Sequence, residues 1–238
     1  MTILTLRTGL PPGRIDCAGL MPKRDLADNT VVFGNRRLPL GELFAIDGAP
    51  GDRLELRGTD ARCDGIGEGM EGGTLVVEGD AGFYAARGMK AGALHIKGNA
   101  GDFLAAAHPG TRRGMSGGIA RVDGNAGDRA GEFIRRGIVI VGGDAGAYAG
   151  ARGIAGTLVV LGQCGAYAGW ALKRASLVLA RPPQSMPPGF GDAGLHEILY
   201  LRLLARRLGL DPAPFARVRR FAGDQQAGGK GEILVAAP

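Results

Sequence analysis

A chain of 238 residues with 45% hydrophobic content has material for one large buried core or two small ones. Its 44 glycines stand far above the usual share of roughly 7% and follow no three-residue period, which excludes a collagen-like rod and indicates many tight turns. The net charge of +6 points to an acidic partner, whether nucleic acid, membrane surface or polyanionic substrate, without choosing among them.

In chain order, "MTILTLRTGLPPGR" lacks the charged start and unbroken apolar run of a secretory signal. No run approaches the ~20 apolar residues of a membrane span, so a soluble, cytoplasmic protein is expected. Residues 1–50 carry a strand-like "TILTLR" and then "PLGELFAIDG", and are expected to cap the first repeat. Residues 51–181 repeat. Short apolar runs, "LELRG", "LVVEG", "LHIKG", "ARVDG", "VIVGG", "LVVLG" and "LVLAR", close at positions 58, 79, 98, 124, 143, 162 and 181, in steps of 21, 19, 26, 19, 19 and 19 residues. A fixed period of this size signals units that bury their apolar faces only by stacking on one another. The leucine-rich-repeat frame is missing, and the pattern predicts an all-β parallel β-helix, a solenoid of about seven rungs.

Strand alternation then assigns faces. Leu75 and Val77, Leu94 and Ile96, Val139 and Val141, Leu158 and Val160, and Leu177 and Leu179 are expected inside. Their alternates point outward, polar or mixed in early repeats but apolar at Ile140, Val159, Leu161 and Val178, so the late repeats need a cover. Residues 182–238 supply one: after the linker "RPPQSMPPGFG", Asp192 is expected to cap a helix from about Ala193 to Leu208, with Gly209 as its stop. Apolar residues on more than one face of that helix predict that it is sandwiched between the repeat and a partner.

The candidate sites are few. Gly67, Gly69 and Gly72 have dinucleotide-loop spacing but lead into a strand, not a helix. The C-terminal "AGGKGE" has Asp224 and Gly231 where a phosphate loop needs Gly and Ser or Thr. Cys17, Cys63 and Cys164 form no CxxC pair, and His95, His108 and His196 have no metal-ligand spacing, so neither a catalytic constellation nor a metal site is expected. His108 and Pro109 lie in the seven-residue excess of the 26-residue step, which becomes a protruding loop suited to partner contact. Arg87, Arg112, Arg113, Arg135, Arg136, Arg152, Lys173 and Arg174 recur at a similar place in each repeat. They predict a basic stripe for an acidic chain or subunit surface, unless it is only a solvated edge. No aromatic residues are seen to interleave with it, which argues against single-stranded nucleic acid.

The GxxGxxx[G/A] element, clearest at Gly124-Gly127-Gly131, Gly143-Gly146-Gly150 and Gly162-Gly165-Gly169, is similar to that of the C-terminal domain of glutamate synthase large subunits. With "PLGELFAIDG" before it and "RRFAGDQQAGGKGEILV" after it, the chain resembles more closely the C-type subunit of the formylmethanofuran dehydrogenase family over nearly its whole length. That resemblance implies a right-handed β-helix acting as a non-catalytic subunit. Its partners would be an amidohydrolase-like subunit, a formyltransferase subunit and a further dehydrogenase-like subunit, with no nucleic acid or membrane. The methanofuran-like carrier and the metal ions would belong to those partners, and this chain would bind no cofactor. One version of the family is a molybdenum or tungsten enzyme of methanogens. The other is the bacterial formyltransferase/hydrolase complex of one-carbon metabolism, toward which a composition of 24 Arg against 5 Lys leans. An enzyme domain contributing to a glutamine- or formyl-handling site, and a free-standing polyanion-binding module, are the alternatives.

Overall fold

A computed structural model describes residues 1–237. The chain begins with β1 (Thr2–Leu6), β2 (Ile15–Asp16), β3 (Thr30–Phe33), β4 (Arg36–Pro39), α1 (Leu40–Leu43) and β5 (Phe44–Gly48). The repeat region comes next as β6 (Arg53–Arg57), β7 (Cys63–Asp64), β8 (Glu71–Glu78), β9 (Ala91–Ile96), β10 (Ser116–Val122), β11 (Arg136–Val141), β12 (Thr157–Val160) and β13 (Ser176–Leu179). The C-terminal part holds β14 (Gly191–His196), α2 (Leu199–Arg207), β15 (Val218–Gly223) and β16 (Gly231–Ala236).

The expectation of a right-handed parallel β-helix of about seven rungs is corrected. Among the described residues the strands form a 12-stranded mixed sheet, in the order β14-β15-β16-β13-β12-β11-β10-β9-β8-β6-β1-β5, and a 4-stranded sheet, β4-β3-β2-β7. The large sheet is parallel from β1 through the repeat strands to β16, and antiparallel where β5 joins β1 and where β14 and β15 extend beyond β16. The repeat pattern carried the parallel stacking of neighbouring strands. It carried nothing about the flanking segments, which add their own strands to both edges of the same sheet.

Within the parallel stretch the register is the one the repeat implies. Leu54, Leu75, Leu94, Ala120, Val139, Leu158, Leu177 and Ile233 pair in an unbroken column, and all are buried. Two residues on, Leu56, Val77, Ile96, Val122, Val141, Val160, Leu179 and Val235 form a second buried column. Together they make the main core, since period-2 alternation keeps them on one face.

The glycines have a stacking role. Gly92, Gly118, Gly137 and Gly156 enter successive strands with φ of 92, 85, 91 and 90°, a left-handed region open to glycine. Their closeness also leaves no room, because a Cβ on Gly118 would lie 2.6 Å from the Gly92 carbonyl oxygen.

Polar side chains tie the turns. The Asp80 carboxylate accepts from Asn99 N (2.7 Å), Asn99 Oδ1 from Asn125 N (2.9 Å), Asn125 Oδ1 from Asp144 N (2.8 Å) and Asp144 Oδ1 from Gln163 N (2.7 Å). This explains the Asp or Asn that succeeds the closing glycines Gly79, Gly98, Gly124 and Gly143. Asp144→Ala leaves Gln163 N without its acceptor at a solvent-exposed turn, at a cost of about 1 kcal/mol. The expected result is a thermal midpoint lower by roughly 2–4 °C; an unchanged melting curve would show that the ladder does not hold the turns.

The C-terminal layer also departs from expectation. Asp192 caps no helix. Residues Gly191–His196 form β14 against β15, where Asp192 binds Arg219, and α2 starts only at Leu199. Positive φ at Gly194 and the antiparallel partner strand favour extended chain where the capping pattern suggested a helix. Leu201 and Ala205 of α2 pack with Phe215, Val218 and Leu234 over Val159 and Val178, the outward apolar residues that needed a cover.

Candidate functional site

The turns after the strands carry the charged and aromatic side chains, and three surfaces result. The first is a cleft of about 730 Å³ lined by Lys90, Arg113, Arg135, Arg136 and Arg174, with His108, Thr111 and Ser116 among its other walls. Lys90 is bound to Glu71 at 2.6 Å. Among the described residues none of the four arginines forms an ion pair within the chain. His108 hangs over the cleft from the long loop with Nδ1 3.3 Å from Glu68, and Pro109 is exposed on that loop. The structure thus brings Arg113, Arg135, Arg136, Arg174 and His108 together.

The other members of the expected stripe go elsewhere. Arg112, Arg152 and Lys173 line a second hollow of about 510 Å³ with Phe133 and Gln226. Arg87 is engaged: its Nη2 donates to Glu68 at 2.6 Å, and its guanidinium lies 4.3 Å from the centre of the Tyr84 ring. A carboxylate 19 residues earlier in sequence, one repeat back, thus decides whether a basic residue stays available.

The second surface is a ladder that sequence reading missed. Tyr84, Phe103, Arg129, Tyr148 and Tyr167 occupy the same turn position in successive repeats, all with φ between 59 and 65°. Such conformations cost a bulky residue about 1 kcal/mol or more and persist where the surroundings impose them. Tyr84 stacks on Phe103 at 5.1 Å and Tyr148 on Tyr167 at 5.2 Å, while Arg129 bridges Phe103 and Tyr148 at 5.9 and 5.1 Å. Beside it Arg152 lies 4.4 Å from Trp170 and 5.6 Å from Phe133. Aromatics therefore do interleave with arginines, contrary to expectation, because neighbouring turns bring together residues nearly a full repeat apart. The signal was present in the aligned repeats, as the residue two after the second glycine of each GxxG.

The third surface is the outward face of α2 and the end of β14, where Leu195, Leu199, Tyr200 and Leu203 are 51, 65, 57 and 55% exposed. Four large apolar groups left in water on one side of the chain mark a surface built to be covered.

Of the three thiols, Cys63 is held below its ordinary value by a hydrogen bond from Cys17, and the other two are quiet. Burial pushes the Cys164 thiol up to about 12, and a hydrogen bond to Cys63 together with burial raises Cys17 well above its ordinary value, so both stay protonated. His95 is bound to Asp123 at 2.7 Å on the outer face of β9. Burial raises the Asp123 carboxyl, but hydrogen bonds from Arg121 and His95 outweigh it and hold the group below the usual range. No helix among the described residues is long and apolar enough to cross a membrane.

No family model and no curated protein matches the chain. A solved structure does: a chain in the X-ray crystal structure of the formyltransferase/hydrolase complex (FhcABCD) from Methylorubrum extorquens in complex with methylofuran is similar at 32% identity and a TM-score of 0.82. The likeness covers 99% of this chain and 100% of that one. With that identity over the full length of both, the chain belongs to the family of this subunit of formyltransferase/hydrolase complexes.

Proposed function

We propose that the chain is the C-type, non-catalytic scaffold subunit of a cytoplasmic formyltransferase/hydrolase complex. Such a complex transfers a formyl group from tetrahydromethanopterin to a methanofuran-like carrier and releases it as formate. The full-length likeness to a subunit of FhcABCD carries this reading. The apolar outward face of α2 fits it, since that face is suited to a neighbouring subunit. The amidohydrolase metal site and the formyl-transfer site would lie on partner subunits. Co-purification tests it: the tagged chain should bring down hydrolase- and transferase-type subunits in fixed stoichiometry and show no formyl hydrolysis by itself. Activity of the chain alone, or a stable monomer without such partners, would refute it.

The cationic cleft supports a narrower part of the reading. Four arginines without an ion-pair partner among the described residues suit a ligand carrying several carboxylates, either an acidic face of a subunit or a carrier bearing glutamates. Each exposed guanidinium–carboxylate pair contributes only about 0–1 kcal/mol and weakens with salt. Holding of that strength lets a carrier move between sites. Replacing Arg113, Arg135, Arg136 and Arg174 by Ala should therefore weaken the bound species by roughly tenfold to a few hundredfold at low ionic strength. Loss of carrier with the complex intact assigns the cleft to the carrier, and dissociation assigns it to a subunit. A variant with both unchanged makes the cleft a solvated edge.

A further inference from the structure

The late end of the aromatic ladder closes around a hollow of about 330 Å³ walled by Arg129, Tyr148, Arg152, Tyr167 and Trp170. Its charge is unbalanced. Nη1 of Arg129 and Nη1 of Arg152 both donate to the same oxygen of Glu132, at 3.0 and 2.5 Å, and Glu132 is itself buried. Two guanidiniums thus share one carboxylate, and each keeps donors that this oxygen does not use. The Arg129 and Arg152 side chains remain about one-third exposed, at 36 and 34%. A second carboxylate is what the hollow lacks.

The rings set the rest of the ligand. Tyr148 has Tyr167 stacked on it at 5.2 Å and Arg129 5.1 Å from its centre, and Arg152 lies 4.4 Å from the centre of Trp170. Single-stranded nucleic acid needs free ring faces on which bases stack, and here Tyr148 is covered by Tyr167 and Arg129, and one face of Trp170 by Arg152. The hollow is also too small for a strand, and large enough for one or two side chains. Tyr167, 46% exposed, offers an apolar wall at its edge. Tyr, Trp and Arg are the residues enriched among energetic anchors of protein interfaces, because they give rigid contact area together with donors.

We propose that this hollow docks an acidic segment of a partner subunit, with one Asp or Glu carboxylate meeting Arg129 and Arg152 and a neighbouring apolar side chain packing on Tyr167 and Trp170. This rests on the reading that the chain works inside a multi-subunit complex, and adds to it a docking point separate from the apolar face of α2 and from the cationic cleft.

Hydroxyl-radical footprinting of the whole chain, alone and in the assembled complex, tests the proposal. Oxidation of Tyr167 and Trp170 should fall severalfold on assembly. Tyr167→Ala should weaken joining of the chain to the remaining subunits by about tenfold, while the melting curve of the chain alone stays close to wild type. Trp170 is the chain's sole tryptophan, so its fluorescence reports directly on the hollow in the isolated chain. Quenching by an oligo(dT) single strand at physiological salt would overturn the proposal in favour of nucleic acid. A complex that assembles with Tyr167 and Trp170 as oxidisable as in the free chain would overturn it while leaving complex membership intact. Failure of the wild-type chain to assemble at all would remove the underlying reading, and the docking point with it.

Discussion

Replacing Leu199 and Leu203 with Asp should abolish entry of the chain into its complex while leaving the chain itself folded. Both leucines are more than half exposed, whereas the neighbouring Leu201, Leu204 and Ala205 are buried against the late strands. Charges on the outer face therefore stay solvated in the isolated chain and cost little. In a complex that covers this face, the same two carboxylates must be buried without partners, at several kcal/mol. The apolar contact of two leucines, about 1.5–3 kcal/mol each, is lost as well. Together these lower affinity by more than about a thousandfold. Size-exclusion chromatography of the co-expressed subunits reads the outcome directly, and an assembled complex containing the double variant would show that α2 faces water. Leu201→Asp is the contrasting control. It places the charge in the cluster formed with Val178, Phe215 and Leu234, and should unfold the C-terminal layer even in the isolated chain.

Gly118→Val should strongly destabilise the repeat region. Gly118 has φ of 85°, which a β-branched residue adopts only under strain. Its Cβ would also stand 2.6 Å from the Gly92 carbonyl oxygen and 2.8 Å from Met89 Cε. The methionine end can move, but the carbonyl belongs to the neighbouring strand's backbone and cannot without breaking the stack. Conformational strain and overpacking together cost about 3–6 kcal/mol. For a chain of this size the thermal midpoint should fall by roughly 6–20 °C. Gly110→Ala separates the two causes: Gly110 has φ of 78° but nothing within 4 Å of a Cβ, so only the smaller backbone penalty applies. If the two variants melt together, close packing of the glycine column contributes nothing.

Much of this architecture was legible in the residues. Alternation with period 2 and glycine closure at a 19-residue step suffice to pair Leu75 with Leu94 and Leu158 with Leu177, because a shift of one residue would turn every core side chain outward. The same alternation marked Val159 and Val178 as outward yet apolar, and so in need of cover. These are local rules, and local sequence carries them.

What only the tertiary structure decided depends on which distant segments become neighbours. The pairing of β13 with β16, across more than 50 residues, and the antiparallel additions of β5 to β1 and of β15 to β16 gave a 12-stranded mixed sheet where a solenoid was expected. Antiparallel contact with β15 made a strand of the segment after Asp192, where the capping pattern suggested a helix. The basic stripe divided for the same reason: Arg87 meets Glu68 from the preceding repeat, whereas Arg113, Arg135, Arg136 and Arg174 face a common cleft. Identical positions in a repeat differ in what they can bind because their charge partners come from other turns, and Coulombic and hydrogen-bond terms depend on distances in space that sequence spacing does not contain.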